Sequence, residues 1–109
     1  MARQAQLLPG TLDLLILKAL TWGPRHGYGI GRWIRETTRE ALVIQEGALY
    51  PALHRLERRE LIAEDWGVSD TGRPAKFYSL TVTGRAHLRA EAARWQAHAR
   101  AVNRALAAV

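Results

Sequence analysis

A mostly α fold is predicted for this chain: three helices, a two-stranded hairpin and a long closing helix, in that order. Three observations predict it. Apolar residues recur at helical spacing in three early segments, around Leu12–Leu20, Ile30–Ile34 and Leu49–Leu56. Two β-prone runs then flank a turn-rich tip between Leu61 and Leu80. From Leu88 onward the apolar residues fall on alternating steps of four and three, the spacing of a heptad seam.

The elements follow in chain order. Met1 to Leu8 reads as a loose arm. Pro9-Gly10-Thr11 opens the first helix, with Thr11 as candidate N-cap and Asp13 well placed in the first turn, where a helix favours negative charge. Leu12, Leu15, Ile16, Ala19 and Leu20 form its core stripe, and Trp22-Gly23-Pro24-Arg25 ends it. His26 to Arg39 is the second helix. Gly27, Gly29 and Gly31 each weaken it by about 1 kcal/mol against alanine but allow another helix to come close. Gly-Tyr-Gly-Ile-Gly lacks the G-x-G-x-x-G spacing, and no βαβ pattern follows, so it is not read as a nucleotide loop. Leu42-Val43-Ile44 is a brief β-prone run.

The third helix, from about Glu46 to Arg59, is the most informative segment. Leu49, Ala52, Leu53 and Leu56 converge on one side. Gly47, Pro51, His54 and Arg58 lie opposite, with Tyr50 and Arg55 on the flanks. The outer face begins with small residues and ends in cations, so it can lie against a polyanion without obstruction. Pro51 cannot donate its N–H, which leaves open a late start or a kink. Leu61 to Trp66 and Lys76 to Leu80 are the two strands, joined by the turn-rich Gly67 to Pro74. Thr83 is the expected N-cap of a last helix running from Gly84 to about Ala108. Its seam is Leu88, Ala92, Trp95, Ala99, Val102, Leu106 and Val109. At about 37 Å that helix is longer than so small a domain covers, and alanines at 92 and 99 let a partner helix approach. The seam is therefore read as a dimerisation surface, the alternative being that it packs on its own domain.

Composition narrows the function. The chain has 109 residues, room for one compact domain with an appended helix. Residues 1–82 form the expected domain with its arm, and 83–109 the dimerisation helix. The formal charge is +6, with 14 arginines among 16 cations. That excess favours nucleic acid or an anionic surface, although a solvated basic domain would carry it as well. With no cysteine, disulfides, thiolate metal sites and a cysteine nucleophile are excluded. A reducing cytoplasm fits. Leu7–Trp22 is too short and too charged to span a membrane. His26, His54, His87 and His98 show no i, i+4 pairing and no paired carboxylate, so no metal, cofactor or catalytic role is expected. Ser69 and Asp70 are ordinary turn formers.

Three helices followed by a hairpin match a winged helix-turn-helix, in which the third helix enters the major groove and the hairpin tip reaches the backbone or minor groove. His54, Arg55 and Arg58 can then reach base edges or phosphates. The Tyr50 hydroxyl can bond a phosphate or base edge, and Arg73 and Lys76 supply charge at the wing. Arg59 can do the same or simply complement its helix end. The segments at 26–30 (HGYGI), 47–57 (GALYPALHRLE) and 72–84 (GRPAKFYSLTVTG), in this order, resemble the PadR family of bacterial transcriptional regulators, over nearly the whole chain. The single closing helix resembles the short form of that family. The resemblance implies a homodimer, usually a repressor, that leaves a palindromic operator in double-stranded DNA when an effector binds. One departure is Glu60, where the family usually has glycine; a left-handed cap there would cost about 1 kcal/mol. Trp95, in mid-seam, either fills the dimer core or lines a gap for a small aromatic or apolar effector. A protein-docking winged helix is the alternative function, and the basic outer face of the third helix argues against it, because such a face would carry apolar anchors.

Overall fold

Helix α1 spans Thr11–Ala19 and is entered through a left-handed turn at Gly10, φ 83°. This computed structural model describes residues 7, 8 and 10–109. Residues 1–6, most of the expected arm, and Pro9 lie outside the described residues. Gly10, not Thr11, occupies the N-cap. The turn sends the Thr11 side chain backward, and its hydroxyl donates to the Leu8 carbonyl at 2.7 Å.

Strand β1, Arg25–His26, then leads into α2, Gly27–Thr37. The helix is slightly shorter than the sequence predicts because His26 is its cap: the Gly29 N–H donates to His26 Nδ1 at 2.9 Å. Arg39 and Glu40 close α2 with positive φ, and the Glu40 N–H reaches the Arg35 carbonyl at 2.8 Å. Leu42-Val43-Ile44 forms no strand. It is an extended link to α3, Glu46–Arg58, and its Leu42 and Ile44 pack on the core.

The wing is β2, Ile62–Val68, and β3, Pro74–Leu80, both longer toward the tip than the sequence predicts. They pair antiparallel from Ile62 opposite Leu80 to Val68 opposite Pro74. At the tip the Ser69 N–H bonds the Arg73 carbonyl at 2.8 Å and Gly72 takes φ 79°. The sheet has a third strand that the sequence reading missed: β1 pairs with β3, giving the order β1-β3-β2. Two residues are too few to show alternation.

Helix α4 spans Val82–Leu106. Thr81, two residues before the expected Thr83, is its N-cap. The Thr81 hydroxyl accepts from the Gly84 N–H at 2.9 Å and donates to the Glu60 carbonyl at 2.7 Å. It thereby ties the start of α4 to the end of α3. That end is a left-handed cap at Glu60, φ 59°. The Leu61 N–H bonds the Leu56 carbonyl at 3.0 Å and the Glu60 N–H bonds the Glu57 carbonyl at 2.9 Å, the paired bonds of a Schellman turn. Glu60 adopts the glycine-like conformation at its cost, because the turn satisfies two helix carbonyls and aims the chain into β2.

The core joins all three amino-terminal helices to the sheet. Ile16, Leu17 and Leu20, Ile30 and Ile34, Leu53 and Leu56 are fully buried, each worth about 1.5–3 kcal/mol against exposure. Leu61, Ile62 and Tyr78 close it from the sheet and Leu88 from α4. Beyond Arg100, α4 is exposed throughout and projects from the domain. None of the helices described is long and apolar enough to cross a membrane.

Candidate nucleic-acid interface

Helix α3 divides as its sequence pattern predicts. Leu49, Ala52, Leu53 and Leu56 are buried, while Gly47, Tyr50, Pro51, His54, Arg55 and Arg58 are exposed. Pro51 does not delay the helix, which starts at Glu46 five residues upstream. Its missing N–H would have met the carbonyl of Gly47 on the exposed side, where water can replace it. Tyr50 lies against the start of α2. A Cβ on Gly27 would stand 2.7 Å from its hydroxyl, so the present position of the Tyr50 ring depends on residue 27 being glycine.

The expected contact residues fall into two groups. His54, Arg58 and Arg73 are exposed and have no carboxylate within ion-pair distance among the described residues. The two arginine charges and the His54 ring are available to a ligand. Arg55 and Lys76 are already engaged. Arg55 Nη2 lies 3.0 Å from Asp13 Oδ1 and ties α3 to α1. Lys76 Nζ lies 3.5 Å from Glu64 and 5.8 Å from the centre of the Trp66 ring. Such half-exposed pairs are weak in water and can be exchanged for a phosphate.

A pair of carboxylates sits between α3 and the wing. Burial pushes Glu57 above the ordinary carboxylate range, and the neighbouring Glu64 adds to the effect through charge and a hydrogen bond; His54 and Lys76 oppose it. The Tyr78 hydroxyl is likewise pushed up, first by burial and then by Glu57 and Glu64. Protonation of Glu57 is thus eased where α3 meets the hairpin. Beside it a cleft of about 1060 Å³ opens between the start of α2, α3 and the wing, with Tyr28, Tyr50, His54, Trp66 and Lys76 on its walls. Tyr28 and Trp66 were not singled out from the sequence. Trp66 could have been, since it keeps the period-two phase of Ile62 and Glu64.

The residues of the expected dimer seam separate along α4. Leu88 is only 7% exposed and belongs to the chain's own core. Ala92 and Ala99 are half-buried, and Trp95, Val102 and Leu106 are exposed, Leu106 to 78%. The unpartnered part of the seam therefore starts at Ala92. A groove of about 660 Å³ runs between the start of α1 and α4, where Leu14 and Leu17 face Trp95, His87 and His98.

Comparison with known proteins agrees with this geometry. The Transcriptional regulator PadR-like family matches residues 16–90. The chain is 41% identical over 59 residues to the transcriptional regulator Rv3488 of Mycobacterium tuberculosis, covering 53% of this chain and 54% of that one. A solved transcriptional regulator from Clostridium thermocellum is 32% identical with a TM-score of 0.79, covering 87% of this chain and 92% of that one. A PadR-like transcriptional regulator from Bacillus cereus superposes with a TM-score of 0.82 at 26% identity, over 96% of this chain and all of that one. The family is one of transcription factors, not enzymes. With a winged helix whose third helix turns free cations outward, and a family match over most of its length, the chain belongs to the PadR-like family of DNA-binding transcriptional regulators.

Proposed function

We propose that the chain is a homodimeric repressor, cytoplasmic, that binds a palindromic operator and is released by a small apolar aromatic effector. The observation that carries this reading is the free basic edge of α3, His54 and Arg58, standing beside a wing that carries Arg73 at its tip. In this reading His54 and Arg58 reach base edges, Tyr50 positions the helix on a phosphate, and Arg73 and Lys76 hold the backbone. Arg55, through Asp13, acts mainly by fixing the pose of α3. Dimerisation is favoured by the length of α4 that its own domain leaves bare, from Ala92 through Trp95, Ala99 and Val102 to Leu106. Residues 83–109 then serve as the pairing helix and 1–82 as the reading head.

The test is selection of bound duplexes from a random pool by the purified protein. The expected product is an inverted repeat whose half-sites lie about 34 Å apart or a multiple of that, one helical turn of B-DNA per step. A single unpaired half-site overturns the dimeric reading, and no enrichment overturns DNA recognition. The effector reading rests on the groove where Trp95 faces Leu14 and Leu17. Trp95→Ala is expected to abolish release of DNA by a planar aromatic ligand. Unchanged release in a shift assay would remove Trp95 from that role.

A further inference from the structure

We infer that Trp66 makes a direct apolar contact with DNA, its indole packed on the deoxyribose of a strand lying in the cleft between the wing and α3. The inference rests on the DNA-binding reading above. In the hairpin, Ile62 pairs with Leu80, Glu64 with Tyr78, Trp66 with Lys76 and Val68 with Pro74. Directly opposed residues point to the same side, so these four pairs line one face of the wing. The first pair belongs to the core, where Ile62 is buried. In the second, Tyr78 is buried and Glu64 meets Glu57 of α3. The third pair is the first to clear the helices, and there the chain places a tryptophan that is 67% exposed. Successive pairs on one face are about 7 Å apart, so the indole stands about 7 Å beyond the buried Tyr78 along the hairpin.

What surrounds the indole selects its occupant. Lys76 lies over its ring, and His54 and Tyr50 of α3 share the cleft. Arg58 continues the positive edge one turn further along α3. Tyr28, Trp33 and Phe77 also line the cleft. The acids Glu36 and Glu64 are matched by Arg32 and Lys76, while Arg58 and Arg73 have no carboxylate partner among the described residues. A nucleic-acid strand suits that mixture: it brings phosphates to the unpartnered cations and apolar sugar faces to the exposed indole. Lys76, half-exposed and loosely held by Glu64 at 3.5 Å, can turn to a phosphate while Trp66 covers the adjoining sugar. The contact is continuous with the basic face of α3 and extends the interface from the groove to the wing.

The discriminating measurement is affinity for the selected duplex over a salt series. Trp66→Ala is expected to weaken binding about tenfold, the low end of what losing an aromatic stack on an unpaired base costs. The slope of log affinity on log salt should stay the same, because an indole displaces no counterion. Lys76→Ala should flatten the slope by about one. Trp66 could instead act only by holding Lys76, so Trp66→Ala is also measured in the Lys76→Ala protein, where it should still cost severalfold. Trp66→Leu carries the same expectation should the alanine variant melt early. Unchanged affinity on loss of the indole, or a loss that vanishes without Lys76, overturns the contact. If the unaltered protein binds no duplex at all, the DNA reading fails instead.

Discussion

Gly84→Ala is expected to destabilise the fold by about 3 kcal/mol, at the upper end of what overpacking costs. A methyl group at residue 84 would collide with the main-chain carbonyl of Leu61, which has no rotamer to move into. The same carbonyl accepts from the Thr81 N–H at 3.2 Å. Relieving the clash therefore means lifting the first turn of α4, and with it the Thr81 hydroxyl that joins Gly84 to the Glu60 carbonyl. The check is thermal unfolding at fixed protein concentration, since a dimer's melting point shifts with concentration. A fall of order 10 °C is expected for a domain of this size. A melting point within a degree or two of the unaltered protein would mean that α4 is not seated as described. Gly27→Ala makes a useful comparison, because its obstacle is the mobile end of the Tyr50 side chain and not backbone.

The second large effect concerns DNA. Arg58→Ala and His54→Ala are each expected to weaken binding to the selected operator by about 1–3 kcal/mol and to relax preference at the bases they face. Arg73→Ala should weaken all sequences alike and reduce the salt slope by about one. The contrast follows from position. His54 and Arg58 stand on the helix proposed to enter the groove, whereas Arg73 sits on the hairpin tip. Competition binding with operator and scrambled duplexes separates the two patterns. Equal losses on both duplexes for Arg58→Ala would move that residue from base reading to backbone contact.

Much of this architecture was legible in the residues. The buried quartet Leu49, Ala52, Leu53 and Leu56 is a plain helical stripe, and the two wing strands flank the turn-rich stretch from Gly67 to Pro74. What escaped was local geometry that no period encodes. The helix starts moved because capping depends on which way the preceding residue turns: Gly10 took a left-handed φ ahead of Thr11, and Thr81 was drawn to the Glu60 carbonyl, distant in sequence. Strand β1 exists because β3 offered an unpaired edge to Arg25 and His26, a long-range event. Leu88 continues the heptad spacing perfectly well, yet it is claimed by the chain's own core, since α4 lies on α1 before it leaves the domain. The site shows the same division. Periodicity identified the exposed face of α3, but the partners of Arg55 and Lys76, namely Asp13 and Glu64, depend on packing.

The junction at Thr81 makes α4 a lever arm. The hydroxyl bridge and the glycine contact clamp the first turn of α4 to the end of the reading helix and to the base of the wing, so the head and the arm turn as one body. An arm of 25 residues is about 37 Å long. In a dimer pivoting near the far end of that arm, a tilt of only about 5° would carry the reading helix sideways by about 3 Å. That is close to one base step along a DNA strand, about 3.4 Å. A small change in how two arms cross would therefore be enough to put both heads out of register with their half-sites, without any rearrangement inside the heads themselves.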